Sequence, residues 1–477
     1  MAFYQYMRSQ GHERSKATST ATSKATYPAK SADEDSNPLE VGTRGHVSLC
    51  ASEDASATAR QFQREFYVVY ALAVAADWLQ GPHMYAMYRF EKDLPEKLVA
   101  VLYATGFVSA ALSAPFAGEL ADRYGRRLAC QVYCVTYTLA CLSMISNNLM
   151  VLLLGRLFGG VSTTLLFSVF EAWMITDYHR RGLEDEAGGG DTLPLGTVFA
   201  HLTTISSTVA VLSGVLSDML VTYLASRVWP FMASIVCCCL AWCLMRVNWR
   251  ENYGVRSTNT YALTDIGSGI ATIMKNRQIL SLGIASCVFE SSMYLFVFFW
   301  SAALEHARKA SVLQDIGMDA GAQVDTRLPF GLIFSSFMCA MLTGSSVFSL
   351  SLASSGPARD MAASMLMLVL VMTSIGFSGS ALLEHSEKHV FWAMCLIEAC
   401  AGAYFPSISM LKSKAVEDGN RGRIYSLLRV PTNIIVVLAH AMDEEGAAHR
   451  NHVFLSLAGS PLSECKQTRG DWTLAIF

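Results

Sequence analysis

Gly118-Glu-Leu-Ala-Asp-Arg-Tyr-Gly-Arg-Arg127 is the stretch on which the fold turns, a ten-residue polar loop set between two apolar runs, residues 98–117 and 128–146. Neither run contains a charged residue. Each is about the twenty residues that a helix needs to cross a hydrocarbon core. A soluble protein seldom buries two such neighbours, so the segment reads as two bilayer-spanning helices joined by a short turn.

The rest of the chain agrees with that reading. Its 477 residues are 52% hydrophobic and 16% charged, and the mean hydropathy is positive, which places it with polytopic membrane proteins. The net charge of -3 hides basic clusters in particular loops and implies neither nucleic acid nor an acidic soluble partner. Thirteen cysteines lie mainly in apolar stretches, including Cys237, Cys238, Cys239 and Cys243, without the spacing of a zinc site or a disulfide scaffold. They read as small packing residues; a soft-metal path is the alternative, because thiolates select soft metals.

Apolar stretches recur at roughly 66–88, 98–117, 128–146, 149–172, 193–220 and 228–247, and again at about 279–304, 330–353, 361–383, 390–411 and 424–442. That makes eleven candidate spans. The organisation expected is a disordered tail over 1–60, a six-helix half over 61–250, a polar linker over 251–277, a second half over 278–450 and an atypical tail over 451–477. The tail 1–60 is rich in Ser, Thr, Ala and charge with no signal-peptide run, and Glu13 with Asp33 to Asp35 argues against an organelle transit segment. Val453 to Leu462 is apolar for only about ten residues, too short to span. Arg123, Arg126 and Arg127, then Arg250, Arg256, Lys275 and Arg277, then Lys412, Lys414, Arg421 and Arg423 fall in loops on one side, which puts the amino terminus in the cytosol. Arg89, Lys92 and Lys97 run against that bias.

The loop at 118–127 resembles the glycine, aspartate and double-basic pattern between spans two and three of the major facilitator superfamily. Asp77-Trp-Leu-Gln-Gly-Pro82, Gly155-Arg-Leu-Phe-Gly-Gly160, Phe170-Glu-Ala-Trp173, Phe289-Glu-Ser291, Gly331-Leu-Ile-Phe-Ser-Ser336, Ile397-Glu-Ala-Cys400, Tyr404-Phe-Pro-Ser407 and Arg429-Val-Pro431, in that order, are similar to the molybdate-anion transporter branch. The resemblance implies an all-α fold of twelve spans in two six-helix halves, so the terminal helix is missing or altered here. It also implies a secondary carrier of molybdate, acting as a monomer in the plasma membrane, without a cofactor or a metal of its own. In the superfamily pattern Gly118, Asp122, Gly125, Arg126 and Arg127 form a cytosolic gate, with Asp122 facing the helix near Ile424 and Arg126 pairing with Glu171. A carboxylate at a helix amino terminus is favoured by the helix dipole. The alternative for the basic residues is a plain positive-inside signal.

Ionisable groups inside spans cost roughly 2.5 to 3.5 kcal/mol on insertion scales, so each is a candidate site residue. Here they are Asp77, Arg156, Glu171, Asp218, Glu290, Glu398 and Arg429. Arginine presents a planar fork of donors suited to tetrahedral oxyanions. Arg156 and Arg429 are therefore candidate substrate ligands, with Ser162, Thr163 and Thr164 as hydroxyl donors unless these bond back to their own helix. Asp77, Glu171, Glu290 and Glu398 are candidates for proton coupling, or for structural ion pairs such as Arg156 with Asp77 and Arg429 with Glu398. Moving a dianion against 100 mV costs about 4.6 kcal/mol, so uniport would exclude it and two co-transported protons would make the step electroneutral. Burial raises a carboxylate's pKa toward the range that a proton carrier needs.

Pro82, Pro115, Pro230, Pro406 and Pro431 permit kinks, and Gly159, Gly160, Ser109, Ala110 and Ser113 permit close helix approach. The sequence has no HExxH, no phosphate-cradling loop and no nucleophile with a base, which argues against an enzyme or an ATP-driven pump. The remaining alternatives are a carrier of sulfate or a small organic metabolite, and a non-transporting receptor or scaffold.

Overall fold

The computed structural model describes residues 38–183, 193, 195–254, 270–316, 328–354, 358–416, 421–441 and 450–459. The helices are α1 Pro38–Gln80, α2 Glu96–Tyr124, α3 Arg126–Ser143, α4 Leu149–Arg180, α5 Leu195–Leu224, α6 Trp229–Asn248, α7 Arg277–Ile316, α8 Phe330–Ser354, α9 Ala358–Leu382, α10 Glu387–Ala415 and α11 Arg421–Ala441. A last helix, α12, covers 450–459, and the described residues contain no strand. Eight of these helices, α2 and α4 to α10, hold apolar windows long enough to cross a membrane.

α1 begins at Pro38, not near the apolar run at 66, so residues 38–60 of the expected tail are helical. The reason is propagation: once Ala59 and Phe62 pack in the core, extending a formed helix costs far less than nucleating one. Residues 1–37 lie outside the described residues, as do 255–269 of the expected linker and 460–477 of the expected tail. At its far end α1 tightens into a 3-10 turn over Gly81–His83 and then a π-turn over Met87–Glu91. Pro82 lacks the N–H that the regular ladder requires.

α2 packs on α4, α3 on α4 and α6, and α1 on α5 and α6; in the second group α10 packs on α7, α8 and α9. The two groups meet through α5 with α8 and α2 with α11. The tightest crossings are made by glycine. A Cβ at Gly160 would collide with the Gly106 carbonyl of α2, and one at Gly402 with the Met341 carbonyl of α8. These equivalent crossings expose a sequence repeat. Arg156 lies four residues before Gly160 and Glu398 four before Gly402; Asp77 follows Arg64 by thirteen residues and Glu290 follows Arg277 by thirteen.

The burial pattern is that of a membrane protein. Leu112, Phe116, Leu350 and Trp392 are exposed on the outside, whereas Glu290, Glu398 and Lys412 are buried within. Apolar side chains face lipid at no cost, and polar groups must find partners inside.

The loop at Gly125 meets the start of the linker at Glu251 and Asn252; this end is called proximal. The other, distal, end holds α12, a helix about 15 Å long and so about half of a bilayer core. It is held by Phe454, which is buried against Phe299 and Phe377 with ring centroids at 6.3 Å and 5.8 Å. The described residues of this element therefore pack on α7 and α9 at the distal end.

Candidate functional site

At the proximal end, the backbone turns at Gly125 with φ of 117°, a region that side-chain-bearing residues rarely adopt. The turn delivers the amino terminus of α3 to Glu251, whose carboxylate accepts the N–H groups of Arg127 at 2.7 Å and Leu128 at 3.2 Å. Arg127 donates to the Trp249 carbonyl at 2.9 Å. Trp249 stacks on Trp173 of α4 with centroids 3.7 Å apart. Arg126 pairs with Asp122 at 2.7 Å and reaches α4 through the Ala172 carbonyl at 3.0 Å and the Thr176 hydroxyl.

The expected partners differ. Arg126 engages Asp122, Ala172 and Thr176 where Glu171 was expected, and Asp122 abuts Gly254 of the linker, whose N–H binds its carbonyl at 3.3 Å, where α11 near Ile424 was expected. The cause is the start of the linker, residues 251–254, which lies against the loop and takes these contacts. Gly118 faces open space, and a Cβ there would touch nothing. Beside this cluster Arg181 bridges Glu65 at 2.6 Å and Asp177 at 2.7 Å. Burial alone would raise the Glu65 carboxyl, but hydrogen bonds from Arg181 and Gln61 and the charges of Arg181 and Arg64 hold it below 4.5.

Among the core charges, Arg156 is half-buried. Its guanidinium donates to the Leu102 carbonyl at 3.2 Å and the Met84 sulfur at 3.1 Å and lies 5.5 Å from the centroid of the Tyr103 ring. It has no ion pair with Asp77. That carboxylate instead accepts the Tyr137 hydroxyl at 3.1 Å, and Tyr137 in turn receives Gln80. A phenol already in the α3 wall satisfies Asp77 without moving a guanidinium across the bundle.

Ser162 is buried against Thr136 of α3 at 2.7 Å and bonds back to Phe158; Thr163 bonds back to Gly159 at 2.9 Å. Thr164 donates to the Ala110 carbonyl of α2 at 3.0 Å. All three bond back to their own helix, which is the alternative of the sequence reading, and Ser162 and Thr164 in addition join α4 to α3 and α2. Arg429 is half-buried on α11, without an ion pair to Glu398. Glu171 is half-buried and Glu398 is buried on α10.

Lys412 and His440 are buried polar residues that the sequence reading did not place in the core. Lys412, read from sequence as a loop base, is only 2% exposed and sits with its Nζ 4.0 Å from Glu290 Oε1. The signal was its position one residue past an apolar run, which a span boundary drawn one turn later would have caught. His440 is buried at the end of α11 among Tyr103, Phe107 and Phe298. Nothing in the sequence marks it.

The distal end is closed by contacts between the two helix groups. Trp78 meets Phe334 at 5.6 Å, Tyr85 and Tyr103 meet Phe298 at 5.6 Å and 5.1 Å, and Phe107 meets Tyr294 at 5.5 Å. Asp218 of α5 accepts the Gly331 N–H at 3.2 Å and so caps the first turn of α8. Ser335 donates to the Val211 carbonyl at 2.8 Å. Glu96 binds Arg450 of α12 at 3.3 Å.

A family model described as sugar transporters with 12 TM matches residues 37–383. The molybdate-anion transporter of Xenopus tropicalis is 30% identical over 383 residues, covering 80% of this chain and 78% of that protein. The chain belongs to the molybdate-anion transporter family of the major facilitator superfamily. The Danio rerio molybdate-anion transporter is 28% identical and covers 89% of this chain and 90% of its own length. Among solved structures, a mutant form of the nucleoside transporter NupG matches with a TM-score of 0.64 at 14% identity, covering 86% of this chain and 99% of that one. The peptide transporter POT in complex with sulfate matches with a TM-score of 0.63 at 12% identity, covering 86% and 94%. The protein is thus an all-α, multi-pass membrane transporter and not an enzyme.

Proposed function

We propose that this member of the family imports molybdate by alternating access, as a monomer in the plasma membrane with its amino terminus cytosolic. The observation that carries the reading is Arg156. It is a half-buried guanidinium inside the bundle whose partners are a carbonyl, a thioether and an aromatic face. Among the described residues it forms no closed ion pair, although it lies within electrostatic reach of Asp77 and of the Tyr88 hydroxyl, so an incoming anion can engage it. The relatives' description as molybdate-anion transporters names that anion.

In this reading the contacts around Phe298 and Asp218 form the distal gate in its closed state, and the proximal gate is built on Gly118, Asp122, Gly125, Arg126 and Arg127. Arg156 binds the oxyanion near the distal end. Arg429 lies eleven residues before His440 on α11, roughly 16 Å deeper, so it serves a later position of the same anion. Ser162 holds α4 to α3 beside Arg156, and Thr163 bonds back within α4. Protons travel with the dianion on Asp77, Glu290 and Glu398, with Glu171 near the proximal exit, which removes the cost of moving two negative charges inward.

Uptake of labelled molybdate into proteoliposomes, with an imposed pH gradient and with sulfate and tungstate as competitors, tests the reading. A charge-assisted hydrogen bond contributes about 1.5–3 kcal/mol, so Arg156→Ala is expected to weaken apparent affinity by roughly ten- to a hundredfold. Uptake no greater than that of empty liposomes would overturn it.

A further inference from the structure

Lys412 stands three residues before the end of α10 at Ala415, where a long cationic side chain ordinarily extends to water. It turns inward instead. Its side chain is 2% exposed and faces Glu290 of α7, itself 10% exposed, across 4.0 Å. That distance is longer than a closed hydrogen bond of about 2.7–3.2 Å, although each charge holds the other close. Burying two ions costs more than a well-packed apolar pair of the same size, so packing alone gives no reason for this pair.

Its place in the repeat suggests a reason. α1 and α4 carry Asp77 and Arg156, and their counterparts α7 and α10 carry Glu290 and Lys412. The depths differ. Arg156 lies beside the distal aromatic seam through Tyr103. Lys412 is fourteen residues beyond Glu398, which holds the position equivalent to Arg156, so it lies about 20 Å nearer the proximal end. Lys412 also adjoins the proximal apolar cluster through Val416, one turn further on, which packs with Ile279 and Ile424.

Resting on the transport reading, we infer that Lys412 is a second, exit-side ligand for the oxyanion and that Glu290, protonated during the inward step and charged once its proton has left to the cytosol, is the built-in anion that competes with substrate for it. Arg156 receives the dianion near the entrance. As the anion moves to the proximal side it takes Lys412 from Glu290, and the returning carboxylate displaces it to the cytosol. A tetrahedral dianion offers more oxygen acceptors to an ammonium than one carboxylate does, so the exchange is favourable on arrival. Release follows once Glu290 has given its proton to the cytosol, because the charged carboxylate is then tethered beside Lys412 at high effective concentration while the departing anion is diluted.

The test uses full-length protein, measuring equilibrium molybdate binding and labelled molybdate uptake in the same proteoliposomes. Glu290→Gln removes the competitor and is expected to tighten binding about tenfold while slowing turnover by a similar factor, since one charged hydrogen bond is at stake. The double variant Lys412→Met with Glu290→Gln removes both charges together and so protects the fold. It is expected to lose the tightening and to raise the KM above that of the wild type. Unchanged or weaker binding in Glu290→Gln would overturn the inference, as would unchanged KM and kcat in the double variant. If the wild-type protein takes up no molybdate, the transport reading itself fails; if uptake depends on Arg156 and these variants behave as wild type, only the exit-side ligand fails.

Discussion

Asp218 connects the two helix groups by a bond that, in the proposed alternating-access cycle, exists only while the distal end is closed. Its carboxylate, 3.2 Å from the Gly331 N–H, satisfies an amide in the first turn of α8 that has no partner within its own helix. When the groups separate, water takes the place of the carboxylate. Replacing Asp218 with Ala therefore acts on the difference between closed and open states rather than on the fold. An N-cap is worth about 0.5–2 kcal/mol, typically near 1, so the distal-open population should rise about fivefold, at 1.4 kcal/mol per factor of ten. Asp218→Asn keeps an acceptor and loses only the charge on the helix dipole, so its effect should be smaller. The assay is the rate at which a membrane-impermeant maleimide labels a cysteine placed at Phe334, which packs on Trp78 in the closed seam. The background is a variant with the exposed native cysteines Cys239, Cys243 and Cys339 replaced. A labelling rate in Asp218→Ala equal to that of the parent would refute the latch.

Two further outcomes concern the proximal end. Glu251→Ala removes the carboxylate that caps α3, which at about 1–2 kcal/mol for cap and dipole together should lower the thermal midpoint in detergent by roughly 2–8 °C; a midpoint within a degree of wild type would count against it. Glu65 is held below its ordinary 4.5 by Arg181, so the stability it contributes is present above about pH 4.5 and is lost as pH falls through the lower folded value. Glu65→Gln should therefore flatten the acid limb of a midpoint-against-pH curve, and an equally steep limb would refute the pairing.

The membrane architecture was legible because it is a matter of one-dimensional length and charge. Apolar runs near twenty residues bounded by arginine mark spans whatever their neighbours, and eight helices keep that signature in three dimensions. Helix starts were less legible. α1 extends back to Pro38, because a helix once begun continues through polar residues that a hydropathy reading treats as tail.

Which polar groups meet was mostly hidden. Asp77, Arg156, Glu290 and Glu398 were recognisable from sequence as intramembrane charges, since their cost in lipid is a property of the residue alone. Their partners were not. Tyr137 rather than Arg156 satisfies Asp77, and Glu251, from a segment more than a hundred residues away, caps α3.

The amino-acid sequence by itself determined that the chain crosses a bilayer many times and that a few costly charges lie inside. Only the tertiary structure decided that Lys412 turns toward Glu290, that Ser162 and Thr163 serve the helix wall, and that an aromatic seam joins the two helix groups at the distal end. The physical reason is that the free energy of putting a residue into lipid is local and additive. A hydrogen bond or ion pair instead depends on the rotation and depth of two helices, which are set by packing at crossings such as Gly160 and Gly402.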